Sequence, residues 1–125
     1  MAKNYVSKGD VIPWTNSTGN AVVSGQVVAL GHCIGVVLAA IAAGATGSVA
    51  VEGVFTVPKV SAAVFVQGEK LVFDVSANSG AGAFDDSAAT PATGDITGGA
   101  VAWAAGSDGQ TTATVKLTPG NAAKA

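Results

Sequence analysis

The sequence predicts an all-β fold with at most a short helical turn: a small antiparallel β-barrel or sandwich. Three observations predict it. Gly47–Lys59 and Lys70–Ser76 alternate apolar and polar residues, a period of two that marks strands with one buried face. Short apolar runs, roughly eight of them, are separated by Gly-rich turn signals along the whole chain. A faint internal repeat suggests two related β-units.

The totals bound the rest. A chain of 125 residues is expected to form one domain with a modest core. Charged residues make up 11%, against about 25% in ordinary domains. Arginine is absent, the six Lys are scattered and the net charge is −2. These features argue against nucleic-acid binding, which draws on clustered Lys and Arg. Ala and Gly are abundant and aromatics are 6%, so the core is thin and a partner subunit is expected to add stability. Cys33 is alone, which rules out an internal disulfide or a Cys-based zinc site and reads as a small buried hydrophobe. Lys3 and Lys8 are not followed by the apolar run of a secretory signal. Val27–Ala45 carries no formal charge, but Gly31, Gly35 and Gly44 break it, His32 sits inside it and no Lys or Arg closely flanks it. Two consecutive buried strands are expected there, not a membrane span.

In chain order, residues 1–8 form a short polar arm. Gly9–Trp14 is a first strand, which Pro13 places at an edge or an end. Asn16–Asn20 is a turn cluster, and Ser24-Gly25 is a tight corner between Ala21–Val23 and Gln26–Leu30. Ile34–Ala40 is a buried strand and Ala42–Gly47 a turn. In the next stretch Val49, Val51, Phe55 and Val57 share one face, with a bulge or sharp bend at Gly53 and a stop at Pro58. Val60–Val66 is a helical turn or an irregular crossover. After the Gln67-Gly68 turn, Leu71, Phe73 and Val75 share a face. Residues 76–98 are rich in Gly, Ala, Ser, Thr and Asp, long for a connection. They read as an exposed loop insertion with a short strand near Ala83-Phe84. Gly99–Ala105 is a strand with Trp103 in the core, and Ser107–Gln110 carries the Asp-Gly hairpin signal. Thr111–Thr118 is a strand pointing Ala113, Val115 and Leu117 inward. The domain thus spans 9–118, with a tail at 119–125.

The repeat rests on two displacements. A displacement of 64 lays Gly35–Ala40 on Gly99–Ala104 and Val49–Val51 on Ala113–Val115; one of 43 lays Gly25–Val28 on Gly68–Leu71. The difference matches the length of the loose excursion, so the second unit carries the insertion.

The residues offer little chemistry. Gly44–Ser48 has glycines but no Gly-Lys pair, and a strand follows it, so a phosphate-binding loop is not expected. His32 and Cys33 are neighbours on a strand and point to opposite faces, which separates a base from a thiol. Asp85, Asp86 and Asp95 lack the spacing of a calcium loop and read as solvated carboxylates. Neither a catalytic residue nor a metal ligand nor a cofactor is assigned. Trp14, beside Pro13, is the better candidate for an exposed contact.

The order of signals resembles a known family. Asn4-Tyr-Val leads into Gly9-Asp10-Val. Then come Val23-Ser-Gly-Gln-Val-Val28, Glu52-Gly-Val-Phe-Thr-Val-Pro-Lys59 and Gly68-Glu-Lys-Leu-Val-Phe-Asp74, with a closing Val115-Lys-Leu117. The series resembles the small tailed-phage capsid decoration, or cement, proteins, most specifically in the Gly-Val-Phe-x-x-Pro-Lys block and the downstream Gly-x-x-Leu-x-x-Asp. It departs at residues 76–98, where this chain is longer.

The resemblance implies a non-enzymatic virion subunit on the outer capsid surface, made in the host bacterial cytoplasm. It implies binding to the major capsid protein across capsomer joints as a homotrimer, with no nucleic acid or membrane partner. Ala2, Lys3, Asn4, Tyr5, Val6, Ser7 and Trp14 are assigned to contact with the shell or a neighbouring subunit. The alternatives are another virion β-protein such as a tail tube, a carbohydrate-binding phage surface module, and a small hydrolase using Asp85 or Asp86.

Overall fold

A computed structural model describes residues 3–125. The first sheet contains β1 (Val11–Thr15), β2 (Val27–Leu30), β3 (Cys33–Val37) and β4 (Thr46–Ala50), in the spatial order β1-β4-β3-β2. The second contains β5 (Val54–Pro58), β6 (Lys70–Asp74), β7 (Ala83–Asp85), β8 (Ile96–Ala102) and β9 (Thr112–Leu117), in the order β5-β9-β8-β6-β7. A short β10 (Ala123–Lys124) pairs with the start of β8. The strand pairs within both sheets are antiparallel. The helical segments among the described residues are 3-10 turns at Asn78–Gly80 and Pro119–Asn121. The fold is all-β.

The long alternating stretch resolves into two strands in different sheets. Gly53 is the corner, with φ of +123°, and a Cβ there would meet the Phe55 ring at 3.1 Å. Only a residue without a side chain turns the chain from β4 to β5 so tightly.

The two sheets repeat one plan. Strands β1, β4, β3 and β2 lie in the same order as β5, β9, β8 and β6, and the turn hydrogen bonds recur. The Gln26 N–H donates to Val23 O and the Glu69 N–H to Val66 O, at 3.1 and 3.0 Å. The Gly25 N–H donates to Val37 O and the Gly68 N–H to Ala102 O, each at 2.7 Å. These bonds equate Val37 with Ala102, one residue away from the partner that the sequence displacement assigns. In β9 the offset is two, because Leu38 bonds to Ser48 O where Trp103 bonds to Thr114 O. A one-residue error moves a side chain to the opposite face of a sheet. The identities at a displacement of 64 are therefore coincidences among Gly, Ala and Val, whereas the displacement of 43 that pairs Gly25 with Gly68 matches the turn bonds and the repeat is present in the topology.

β8 itself is irregular. Lys70 faces Val101 but Val72 faces Thr97, so β8 bulges at Gly98-Gly99. A Cβ on Gly98 would meet Asn121 O at 2.6 Å, and one on Gly99 would meet Ile34 Cδ1 at 2.6 Å. The second contact is where the two sheets approach.

The main core is built largely from the second unit. Phe65, Leu71, Phe84, Ile96, Ala100 and Val115 are all at most 1% exposed, and Val27, Ile34 and Val36 join them from the first unit. A smaller cluster of Val22, Val28, Val37, Ile41 and Val49 lies on the other face of the first sheet. At about 25 cal/mol per Å2 of buried apolar surface, small residues contribute little each.

One alternative is resolved and two expectations are corrected. Val60–Val66 is an irregular crossover with no helical turn, held by the Phe65–Gly106 bridge. The excursion at 76–98 is not exposed throughout: Ala83 and Phe84 of β7 are buried, and Phe84 stacks obliquely on Phe73 at 5.1 Å. Phe84 also bridges in parallel to Lys59. The second sheet therefore curls until β7 returns to the chain leaving β5. Finally, Trp103 is not in the core but 52% exposed. Ile96, Gly98, Ala100 and Ala102 supply the buried parity of β8, and Trp103 falls on the other.

Candidate contact surfaces

Each unit buries one polar side chain just after its first strand. In the first unit it is Asn16, which is 0% exposed. Its Nδ2 donates to Asn20 O at 2.7 Å and Ile41 O at 3.1 Å, and its Oδ1 accepts from the Thr18 N–H and hydroxyl. In the second it is Lys59, which is 4% exposed. Lys59 Nζ donates to Val60 O at 2.9 Å, Ser61 O at 3.3 Å and Gln110 O at 3.2 Å, and lies 5.5 Å from the Phe65 ring centroid. All three ammonium donors are used on backbone carbonyls. The Pro-Lys end of the sequence block is thus structural: Pro58 closes the β5 ladder opposite Thr112, and Lys59 ties the crossover to the β8–β9 turn.

The Gly-Glu-x-Leu-x-x-Asp block is structural too. Gly68 takes a φ of +84° in the turn, Leu71 is fully buried, and Asp74 accepts from the Ser76 N–H and hydroxyl. Glu69 makes two attachments. Its Oε1 accepts from the Val66 N–H at 2.9 Å, as the Gln26 amide oxygen accepts from Val23, and its Oε2 accepts from the Ser87 N–H and hydroxyl at 2.7 Å. These hydrogen bonds, led by the Val66 amide, hold the Glu69 carboxyl below its ordinary range.

A folded-state pKa below the unfolded one contributes stability at neutral pH, and that stability is lost as pH falls through the folded value. Protection of the Ser87 amide from hydrogen exchange is therefore expected to hold at neutral pH and to fall in acid, below about pH 4. Glu69→Gln keeps an oxygen for Val66, as Gln26 does, but loses the second oxygen. The variant should lose Ser87 protection at neutral pH and show no acid step.

The remaining acidic groups serve the excursion. Asp95 is 3% exposed and accepts from the Val75 N–H at 3.1 Å and the Ala92 N–H at 2.9 Å. Asp85 accepts from the Asp86 N–H and Asp86 from the Ala88 N–H. Among the described residues no group of three or more His, Cys, Asp or Glu is placed to hold a metal ion. His32 is exposed, while Cys33 is half-buried and donates to Leu30 O at 3.6 Å. Burial pushes the Cys33 thiol up, away from the reactive thiolate.

The arm residues Lys3, Asn4, Tyr5, Val6 and Ser7 are exposed, with Tyr5 at 62% and Val6 at 93%. Ala2 lies outside the described residues. Trp14 is half-buried and packs on the smaller cluster, so the arm and Trp14 differ sharply in exposure. The largest exposed aromatic is Trp103. It recurs with its setting: Gln67 Nε2 donates to Trp103 O as Ser24 Oγ donates to Leu38 O. Val66 beside this turn is 68% exposed, and its counterpart Val23 60%, with Leu38 at 44%. Each unit thus presents an exposed aliphatic residue and a larger apolar side chain at matching turns. Sequence reasoning missed Trp103 as a surface residue because Gly and Ala surround it on both parities.

The family model described as phage cement protein matches residues 6–117. No curated protein and no solved structure gives a significant match.

Proposed function

The chain belongs to the phage cement protein family, and from that premise we propose that it binds the outer surface of the assembled head. There it contacts the major capsid protein and stabilises the head across capsomer joints as a homotrimer.

 The reading is of a non-enzymatic structural subunit of the virion. The observation that carries it is the family match over nearly the whole folded domain. Low charge, small side chains and two matching apolar turns support it, because modest contacts repeated over several subunits give large avidity. The arm residues 3–7 and Trp14 are assigned to contact with the shell or a neighbouring subunit.

The test is sedimentation of the purified chain with mature shells of the parent phage that lack it. Saturating co-sedimentation at a fixed ratio to capsid subunits is expected. A chain that stays in the supernatant removes the cement reading. Trp103 is the anchor expected to matter most, since exposed aromatics dominate contact energies. Trp103→Ala should weaken shell binding about tenfold or more while leaving the melting temperature unchanged, because the side chain is half in solvent already.

A further inference from the structure

The repeat exposes a gap. In the second sheet the outer edge of β6 is covered by β7. In the first sheet β2 occupies the place of β6, and nothing lies beyond it. The bond from the Val37 N–H to Gln26 O sets the phase of the β2–β3 ladder. In an antiparallel pair alternate residues bond inward, so the amides and carbonyls of Val27 and Ala29 point away from β3. No hydrogen bond among the described residues uses them, although Val27 is 4% exposed. A groove of about 400 Å3 runs along this edge, walled by Val27 and Ala29 on one side and Phe73, Val75 and Ala81 on the other.

The other edges are more obstructed. Asp10 O accepts from the Val51 N–H and the Asn16 N–H donates to Ala45 O, at the two ends of β4, so Val11, Pro13 and Thr15 turn their backbone groups outward from β1. Pro13 has no N–H to offer there. In the second sheet, β7 returns to Lys59. Among the described residues, β2 is therefore the least obstructed acceptor, and it is the one with a groove beside it.

We propose that the groove beside β2 is a strand-acceptor site, filled by residues 3–7 of a second copy of this chain. The segment has the chemistry of the strand that fills the equivalent place. Ala83-Phe84-Asp85 carries an aromatic residue that packs on Phe73, and Asn4-Tyr5-Val6 offers an aromatic residue too, which is 62% exposed. A chain's own arm is too short. It leaves from β1, and the acceptor position lies four strand spacings away, about 19 Å. Residues 8–10 span about 10 Å. Donation therefore runs between copies. A donor edge and a different acceptor edge make a head-to-tail contact, the kind that forms a ring when the rotation between copies closes. This deepens the proposed homotrimer but rests on the sheet topology, independently of shell binding.

The test uses the purified full chain and two variants in analytical ultracentrifugation. Deleting residues 3–7 removes the donor. Ala29→Pro removes an outward N–H and obstructs the acceptor. The full chain is expected to associate, and each variant to associate about a hundredfold more weakly. Mixed, the two variants should form one-to-one pairs that grow no further. A second readout covers failure of Ala29→Pro to fold: Val6→Cys with Ala29→Cys, in a Cys33→Ser background, should form disulfides between chains on oxidation. A full chain that stays monomeric, a deletion variant that associates normally, or a disulfide closed within one chain overturns the proposal. Loss of shell binding with unchanged self-association also overturns it, assigning the arm to the shell and leaving the cement reading intact. Normal arm exchange without shell binding removes the cement reading alone.

Discussion

Lys59→Met is expected to destabilise the protein by about 2–3 kcal/mol, lowering its melting temperature by about 10 °C. Two effects oppose each other. Removing a buried ammonium recovers its desolvation cost, and buried charges are often replaced by apolar groups without loss. Here the partners are not removable. The carbonyls of Val60, Ser61 and Gln110 belong to the backbone, and Met leaves them without a donor. The lost hydrogen bonds to a charged group win, because each is worth more than a neutral one. Met retains most of the stem that lies beside Phe65, so the loss reports on the ammonium and not on a cavity. Denaturant titration of the variant measures it. A midpoint unchanged from wild type would mean that water takes the place of Nζ, and that the Pro-Lys block is tolerated there instead of holding the crossover.

The sequence showed strands where alternation was clean and turns where Gly broke it. Pro13 at an edge strand and the sharp bend at Gly53 were both readable, because each follows from a backbone property of one residue. The register of the second unit was not. At Gly98 and Gly99 the pairing of β8 with β6 slips by two residues, which changes the partners of β8 but keeps its buried face. Trp103 was placed in the core for a different reason. Its neighbours are Gly and Ala, which mark neither a buried nor an exposed parity. The short strand at Ala83-Phe84 was readable, but its burial was hidden by composition: a single large apolar residue in a run of Gly, Ala, Ser and Asp gives no period that tells which face is covered. The roles of Glu69 and Asp95 were equally hidden, since a carboxylate that accepts backbone N–H groups looks in sequence like a solvated one. Of the candidate surface, the arm was legible because it is short and polar. The open edge of β2 was not, because it is a property of the sheet order and no local pattern encodes it.

Phe84→Ala should be the most destabilising single change, at about 3–5 kcal/mol. The side chain is fully buried, its ring packs 5.1 Å from that of Phe73, and its carbonyl accepts from the Val60 N–H at 2.9 Å. Truncation leaves a cavity beneath β7, and β7 is the strand that brings the second sheet back to Lys59. The double variant with Phe73→Ala should lose less than the sum of the two single losses, because both rings line one space. Two carboxylate attachments flank the excursion, Glu69 on Ser87 and Asp95 on Val75 and Ala92. They are too few to hold β7 without its aromatic anchor. Amide exchange in β6 and β7 should therefore rise together with the fall in melting temperature. If the variant melts like wild type, β7 contributes little to the sheet it borders. The equivalence between β7 and the empty place beside β2 would then lose its energetic basis, since a strand that adds nothing in one unit gives no reason to expect a donor in the other.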